Sequence, residues 1–115
     1  MKHENSSHFE RRTASLLRRL GRVGPFVKAT LACVRHRCGN PNCRCARGEG
    51  HPSWRLTLKD RNQKTVSVYV PVEMVKEVRQ WVKNYRAFKQ LGSEISAAQL
   101  ARVRLYVREK RRRMG

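Results

Sequence analysis

Apolar positions along the chain fall into two periodicities, and the change between them divides the sequence into elements. Between Met74 and Leu91, the residues Met74, Val75, Val78, Trp81, Val82, Tyr85, Phe88 and Leu91 recur in steps of three and four, with Lys76, Arg79, Lys83, Arg86 and Lys89 on the other flank. That spacing predicts a long amphipathic helix that begins just after Pro71, a residue suited to a helix start. Upstream, Trp54-Arg55-Leu56-Thr57-Leu58-Lys59 and Thr65-Val66-Ser67-Val68-Tyr69-Val70 alternate with period two around the polar loop Asp60-Arg61-Asn62-Gln63-Lys64. They predict a β-hairpin with Trp54, Leu56, Leu58, Val66, Val68 and Val70 facing a core, and Arg55, Thr57, Lys59, Ser67 and Tyr69 on the other face.

The same alternation over Phe26 to Arg37, with Val27, Ala29, Leu31 and Cys33 against Lys28 and Thr30, predicts a third strand. At the N-terminal end, Ser7 followed by Glu10 reads as a capping box opening a helix to about Leu20. Phe9, Leu16, Leu17 and Leu20 lie on one face of it, and Gly21 stops it. Gly92 is expected to close the long helix, and Ser96 with Gln99 to cap a last one carrying Leu100, Val103 and Val107. The expected fold is therefore α+β: an N-terminal helix, a small three-stranded antiparallel sheet with a Cys-rich zinc knuckle, then a C-terminal helical hairpin. Residues 1–23 form a basic helix or arm, 24–109 the zinc-knuckle domain and 110–115 a basic tail.

Composition changes this picture in one respect. With 115 residues and 39% apolar content the chain can bury a modest core, but 27 Lys and Arg stand against 8 Asp and Glu, a formal charge of +19. Self-repulsion of that size disfavours a compact state unless a polyanion offsets it, which points to nucleic acid. Arg outnumbers Lys by 19 to 8, favouring planar, bidentate contacts with phosphates over point-charge attraction. The candidate contacts are Arg11, Arg12, Arg18, Arg19, Arg35, Arg37, Arg44, Arg47, Arg55, Lys59, Arg102, Arg108, Arg111, Arg112 and Arg113. The plain alternative for those on the helices is a solvated face. No apolar run reaches bilayer length and the first residues lack the core of a signal peptide, so the expected location is cytoplasmic, on a nucleoid or ribonucleoprotein.

Four cysteines within thirteen positions, in a reducing compartment, suggest metal rather than disulfides. Cys38-Gly39-Asn40-Pro41-Asn42-Cys43-Arg44-Cys45 places three soft ligands around a tight turn, a set suited to structural Zn²⁺. His51 is the first candidate for the fourth ligand and Cys33 the second. Arg35, Arg37, Arg44 and Arg47 crowd the loop and favour the thiolate form, and a rigid knuckle would present them with less entropy to lose on binding. Catalysis is not expected. Glu49 is the only carboxylate near the loop, and Cys-x-Cys in a turn is a weak fit to a redox pair. The tryptophan and tyrosines of the long helix read as core rather than as a base-stacking platform.

From about Thr30 to Leu91 the chain resembles a family of small uncharacterised bacterial and archaeal proteins, often encoded beside transposases. The resemblance is carried by Arg37 through His51, by Ser67-Val68-Tyr69-Val70-Pro71 and by Trp81-Val82-Lys83-Asn84-Tyr85-Arg86. Where that family has a Gly-Pro-aromatic run after the matched histidine, this chain has His51-Pro52-Ser53-Trp54. The resemblance implies a mobile-element setting, with a transposase or other mobile-element protein as possible partner, and brings no established activity. The expected function is an accessory nucleic-acid-binding protein, with DNA favoured. The alternatives are a structured-RNA-binding protein of a ribonucleoprotein, and a protein-interaction module that docks on a transposase or forms a homo-oligomer.

Overall fold

A computed structural model describes residues 2–36, 39, 42, 48 and 50–114, with side chains from Ser7 onward except His36. The chain is α+β. Helix α1 (Lys2–Leu20) leads to strands β1 (Thr30–His36), β2 (His51–Lys59) and β3 (Thr65–Val70), and after a short 3-10 turn at Val72–Met74 helix α2 runs over Val75–Met114. It divides into two compact units. One comprises Pro25–Tyr85 and the other Met1–Gly24 with Arg86–Gly115, so that α2 contributes its first residues to one and the rest to the other.

In the first unit the strands form an antiparallel sheet of order β1-β2-β3. β1 pairs with β2 from Thr30↔Thr57 to His36↔His51, and β2 with β3 from Trp54↔Val70 to Lys59↔Thr65. This is the expected hairpin, and its loop explains the register. Gln63 N–H donates to the Asp60 carbonyl (3.0 Å) and Asp60 N–H to the Lys64 carbonyl (2.9 Å). The Asp60 carboxylate accepts from the N–H groups of Asn62 (2.8 Å) and Lys64 (3.0 Å). Gln63 takes a φ of 63°, the left-handed step that follows the tight turn in a three-residue hairpin loop.

Leu56 and Val70 on the sheet pack against Val75 and Val78 on α2, ringed by Val27, Ala29, Leu31, Trp54, Leu58, Trp81 and Val82. Trp81 thus serves the core. Val68 belongs to the same sheet face but stays 45% exposed. β1 begins at Thr30, four residues after the expected start, and residues before it are held by α2. Val27 N–H donates to the Trp81 carbonyl (3.3 Å), Asn84 Nδ2 donates to the Pro25 carbonyl (2.7 Å), and the Phe26 ring lies 5.8 Å from that of Tyr85. At the start of α2, Met74 N–H donates to the Pro71 carbonyl (2.9 Å), and Glu73 and Glu77 stand near the positive end of the helix.

The second unit departs from expectation in three places. α1 begins at Lys2, so Ser7 is an interior residue and not a cap; Lys2, His3 and Glu4 contain no helix breaker. The helix does stop where expected, with Gly21 N–H donating to the Leu17 carbonyl (3.1 Å). The C-terminal helical hairpin is replaced by one continuous helix of 40 residues that passes through Gly92. A single interior glycine costs about 1 kcal/mol relative to Ala, too little to break a helix whose flanks bury Leu91 and Ala98. Gln99, expected to close a cap with Ser96, instead donates from Nε2 to Thr13 Oγ1 on α1 (3.2 Å). Finally, the buried stripe is Leu16, Leu91 and Ala98, whereas Leu17 is 52%, Leu100 51% and Val103 59% exposed.

Candidate nucleic-acid interface

The two faces of the sheet differ in what they carry. Trp54, Leu56 and Leu58, with Leu31 and Cys33 opposite, take the face toward α2. His51, Ser53, Arg55, Thr57 and Lys59 alternate onto the open face, where Arg55 stands opposite Tyr69 and Thr57 opposite Ser67. None of the three strands contains an Asp or Glu. On the open face Lys59 is exposed and donates to Thr65 Oγ1 (3.1 Å), and Arg55 is half-buried. Tyr69 is 59% exposed there. The period-two pattern placed Tyr69 on this face without marking it as anything but a polar-side residue, because pattern alone does not report whether a ring is covered.

The proposed zinc ligands Cys38, Cys43 and Cys45 lie outside the described residues, as do Arg37, Arg44, Arg47 and Glu49. Among the described residues there is no group of three His, Cys, Asp or Glu able to hold a metal. The two candidates for the fourth ligand can be compared. His51 is the first residue of β2 and pairs with His36, two residues before Cys38, so it stands at the mouth of the cysteine loop. Cys33 pairs with Trp54, three rows further in, roughly 10 Å along the strand and on the opposite face. Both are exposed. His51 therefore adjoins the cysteine loop, while Cys33 lies further along β1 on the other face. Gly39 (φ 84°) and Gly50 (φ 93°) take the left-handed conformation at either end of this loop, which suits the tight turns expected there. Arg35 Nη1 donates to the Gly50 carbonyl (3.2 Å), tying one expected contact residue to the loop's base.

On the helices, the expected contacts separate into two groups. Arg12 Nη2 lies 3.1 Å from Glu94 Oε1, and Arg102 Nη2 2.7 Å from Glu10 Oε1. These pairs, with Gln99 to Thr13, join α1 to the later part of α2 in antiparallel alignment, so Arg12 and Arg102 already have a structural task. Arg11, Arg18, Arg19, Arg108, Arg111, Arg112 and Arg113 are all exposed. Arg18 and Arg19 close α1, and Arg111, Arg112 and Arg113 close α2, where cations also offset the negative helix end. Among the described residues no helix is long and apolar enough to cross a membrane.

A family model described as a domain of unknown function, DUF6788, matches residues 7–80, well over half of the chain, and the chain belongs to that family. The matched stretch runs from within α1 to the first turns of α2 and spans the whole sheet. No curated protein and no solved structure matches the chain.

Proposed function

We propose that this DUF6788 member is a non-enzymatic, zinc-stabilised protein that grips the phosphate backbone of a nucleic acid, DNA in preference to RNA, as an accessory component of a mobile-element nucleoprotein complex. The observation that carries this reading is how the few carboxylates are spent. Glu10 and Glu94 are taken up by Arg102 and Arg12, Asp60 caps the hairpin loop, and Glu73 and Glu77 start α2. Strands without any acid in one unit, and exposed arginines at the helix ends in the other, leave cationic surface with little to balance it but an external polyanion.

Zinc would be held by Cys38, Cys43, Cys45 and His51, and would close the loop between β1 and β2 so that its arginines are ordered before binding. Cys43→Ser should then lose one zinc equivalent and the folded state of the sheet together; loss of neither would remove the metal from this reading. For the nucleic acid, competition between matched duplex DNA and structured RNA is the test. Stronger displacement by DNA is expected. Stronger displacement by RNA would favour a ribonucleoprotein role, and equal displacement would reduce the protein to a general polyanion binder.

A second reading, docking onto a transposase or another copy of the chain, is favoured by Leu100, Val103 and Tyr106, which are 51%, 59% and 61% exposed on α2. Light scattering on nuclease-treated protein together with a pull-down decides it, since a strict monomer that pulls down nucleic acid and no protein would rule it out.

A further inference from the structure

We infer that the open face of the sheet is a stacking platform for the bases of a single-stranded nucleic acid, with Tyr69 as the ring on which a base lies. This rests on the nucleic-acid reading above and adds to it the strand state of the ligand. Four observations converge on Tyr69.

First, Tyr69 is 59% exposed and sits on a strand. Second, two of its neighbours on that face are small and exposed: Ser67 lies two residues back on β3 and Thr57 pairs with it on β2. Arg55 directly across is half-buried and Ser53, further along β2, is buried, so the open part of the face is the end that carries Tyr69, Ser67 and Thr57. Third, the other aromatic residues of this unit each have a partner within it. Trp54 carries the Arg79 guanidinium 5.3 Å from its ring, Phe26 meets Tyr85, and Trp81 packs on the core. Among the described residues no ring or cation covers Tyr69. Fourth, the face is electrostatically one-sided. Arg55 stands directly across from Tyr69 and Lys59 four residues further along β2, roughly 13 Å away, and no strand contains a carboxylate that would repel a phosphate.

A flat, exposed ring flanked by cations fits a base whose phosphates run beside it. In a duplex the base faces are already stacked, so only an unpaired strand can offer them, and aromatic stacking is the sequence-tolerant way such strands are held. Arg55 then either bonds a phosphate or stacks in turn on a neighbouring base.

The test is fluorescence anisotropy with a short labelled single strand, as DNA and as RNA, and the matching duplex, at one low salt concentration. Tyr69→Ala should weaken single-strand binding by about ten- to a hundredfold and leave duplex binding unchanged, with Tyr69→Phe close to the parent. Tyr69→Leu keeps the apolar bulk without a π face and should behave like Tyr69→Ala. It therefore decides the matter even if the alanine variant folds poorly by circular dichroism. Arg55→Gln should weaken both ligands. Equal single-strand affinity in parent and Tyr69→Leu would overturn the platform while leaving the phosphate reading intact. An equal fall for single strand and duplex would overturn it too. A parent protein that binds neither ligand would overturn the reading on which the platform rests.

Discussion

The helix unit, with 15 Lys and Arg against 4 Asp and Glu, and the sheet unit, with 12 against 4, are both strongly basic and put the excess to different use. In the unit of α1 and the later part of α2, where Leu16, Leu91 and Ala98 are buried, Arg12–Glu94 and Arg102–Glu10 tie the helices together. In the sheet unit, the strands and the start of α2 share a continuous apolar cluster around Leu56, Val70, Val75 and Val78, and the strands have no acid with which an arginine could pair. Charge is therefore partly spent in ion pairs between helices in one unit, whereas the strands of the other hold no carboxylate for their arginines to pair with. A tally of arginines does not distinguish the two uses; the pairing of Glu10 and Glu94 and the absence of Asp and Glu from the strands do.

The comparison breaks most visibly if the two cores are not separable. Leu56→Ala and Leu16→Ala should each cost about 2–4 kcal/mol, the usual range for a buried leucine. Followed by hydrogen exchange, Leu56→Ala should lose protection within residues 25–85 and Leu16→Ala within α1 and the end of α2. A single common loss in both variants would mean one cooperative core. A smaller effect sharpens the picture of α2. Gly92 has open space where a Cβ would stand and does not take a positive φ, so Gly92→Ala should raise stability by about 0.5–1 kcal/mol in urea unfolding. If a turn interrupted α2 there, the same substitution would destabilise.

Gln63 offers the converse case. Its left-handed φ favours glycine, and Gln63→Gly should stabilise the sheet unit by about 0.5 kcal/mol once the entropy of the added glycine is counted. The smallest effect is expected at the ion pairs. Glu94→Gln or Glu10→Gln, removing a partner from pairs whose side chains are 27–52% exposed, should cost less than about 0.5 kcal/mol at low salt and less still at high salt. A larger cost would show that the fastening of the helix unit depends on charge more than on its buried residues.

The hairpin was readable in the sequence because both of its signals are local: period-two alternation on either side, and an aspartate able to cap the loop between. The first half of α2 was readable for the same reason, with Val75, Val78 and Trp81 each repeating the helical step. What failed were signals that are local in form but outweighed by packing. Gly92 looks like a stop, and Ser96 with Gln99 like a start, yet Leu91 and Ala98 need an unbroken helix to be buried on one side and Gln99 finds its partner on α1. The opposite faces of His51 and Cys33 could not be read from spacing at all, since they depend on the register that pairs Cys33 with Trp54 and His36 with His51. Tyr69 was placed on the correct face by alternation, but its exposure is seen only once the strands are side by side, with Thr57 and Ser67 the small exposed residues next to it.

The claim that the unspent guanidinium groups exist for phosphates is tested most directly by the salt dependence of nucleic-acid affinity. Each phosphate neutralised on a B-form duplex should contribute about 0.9 to the slope of log affinity against log salt. The expected result is a straight, steep decline with a slope of several units. An affinity that stays level across the salt series would contradict it.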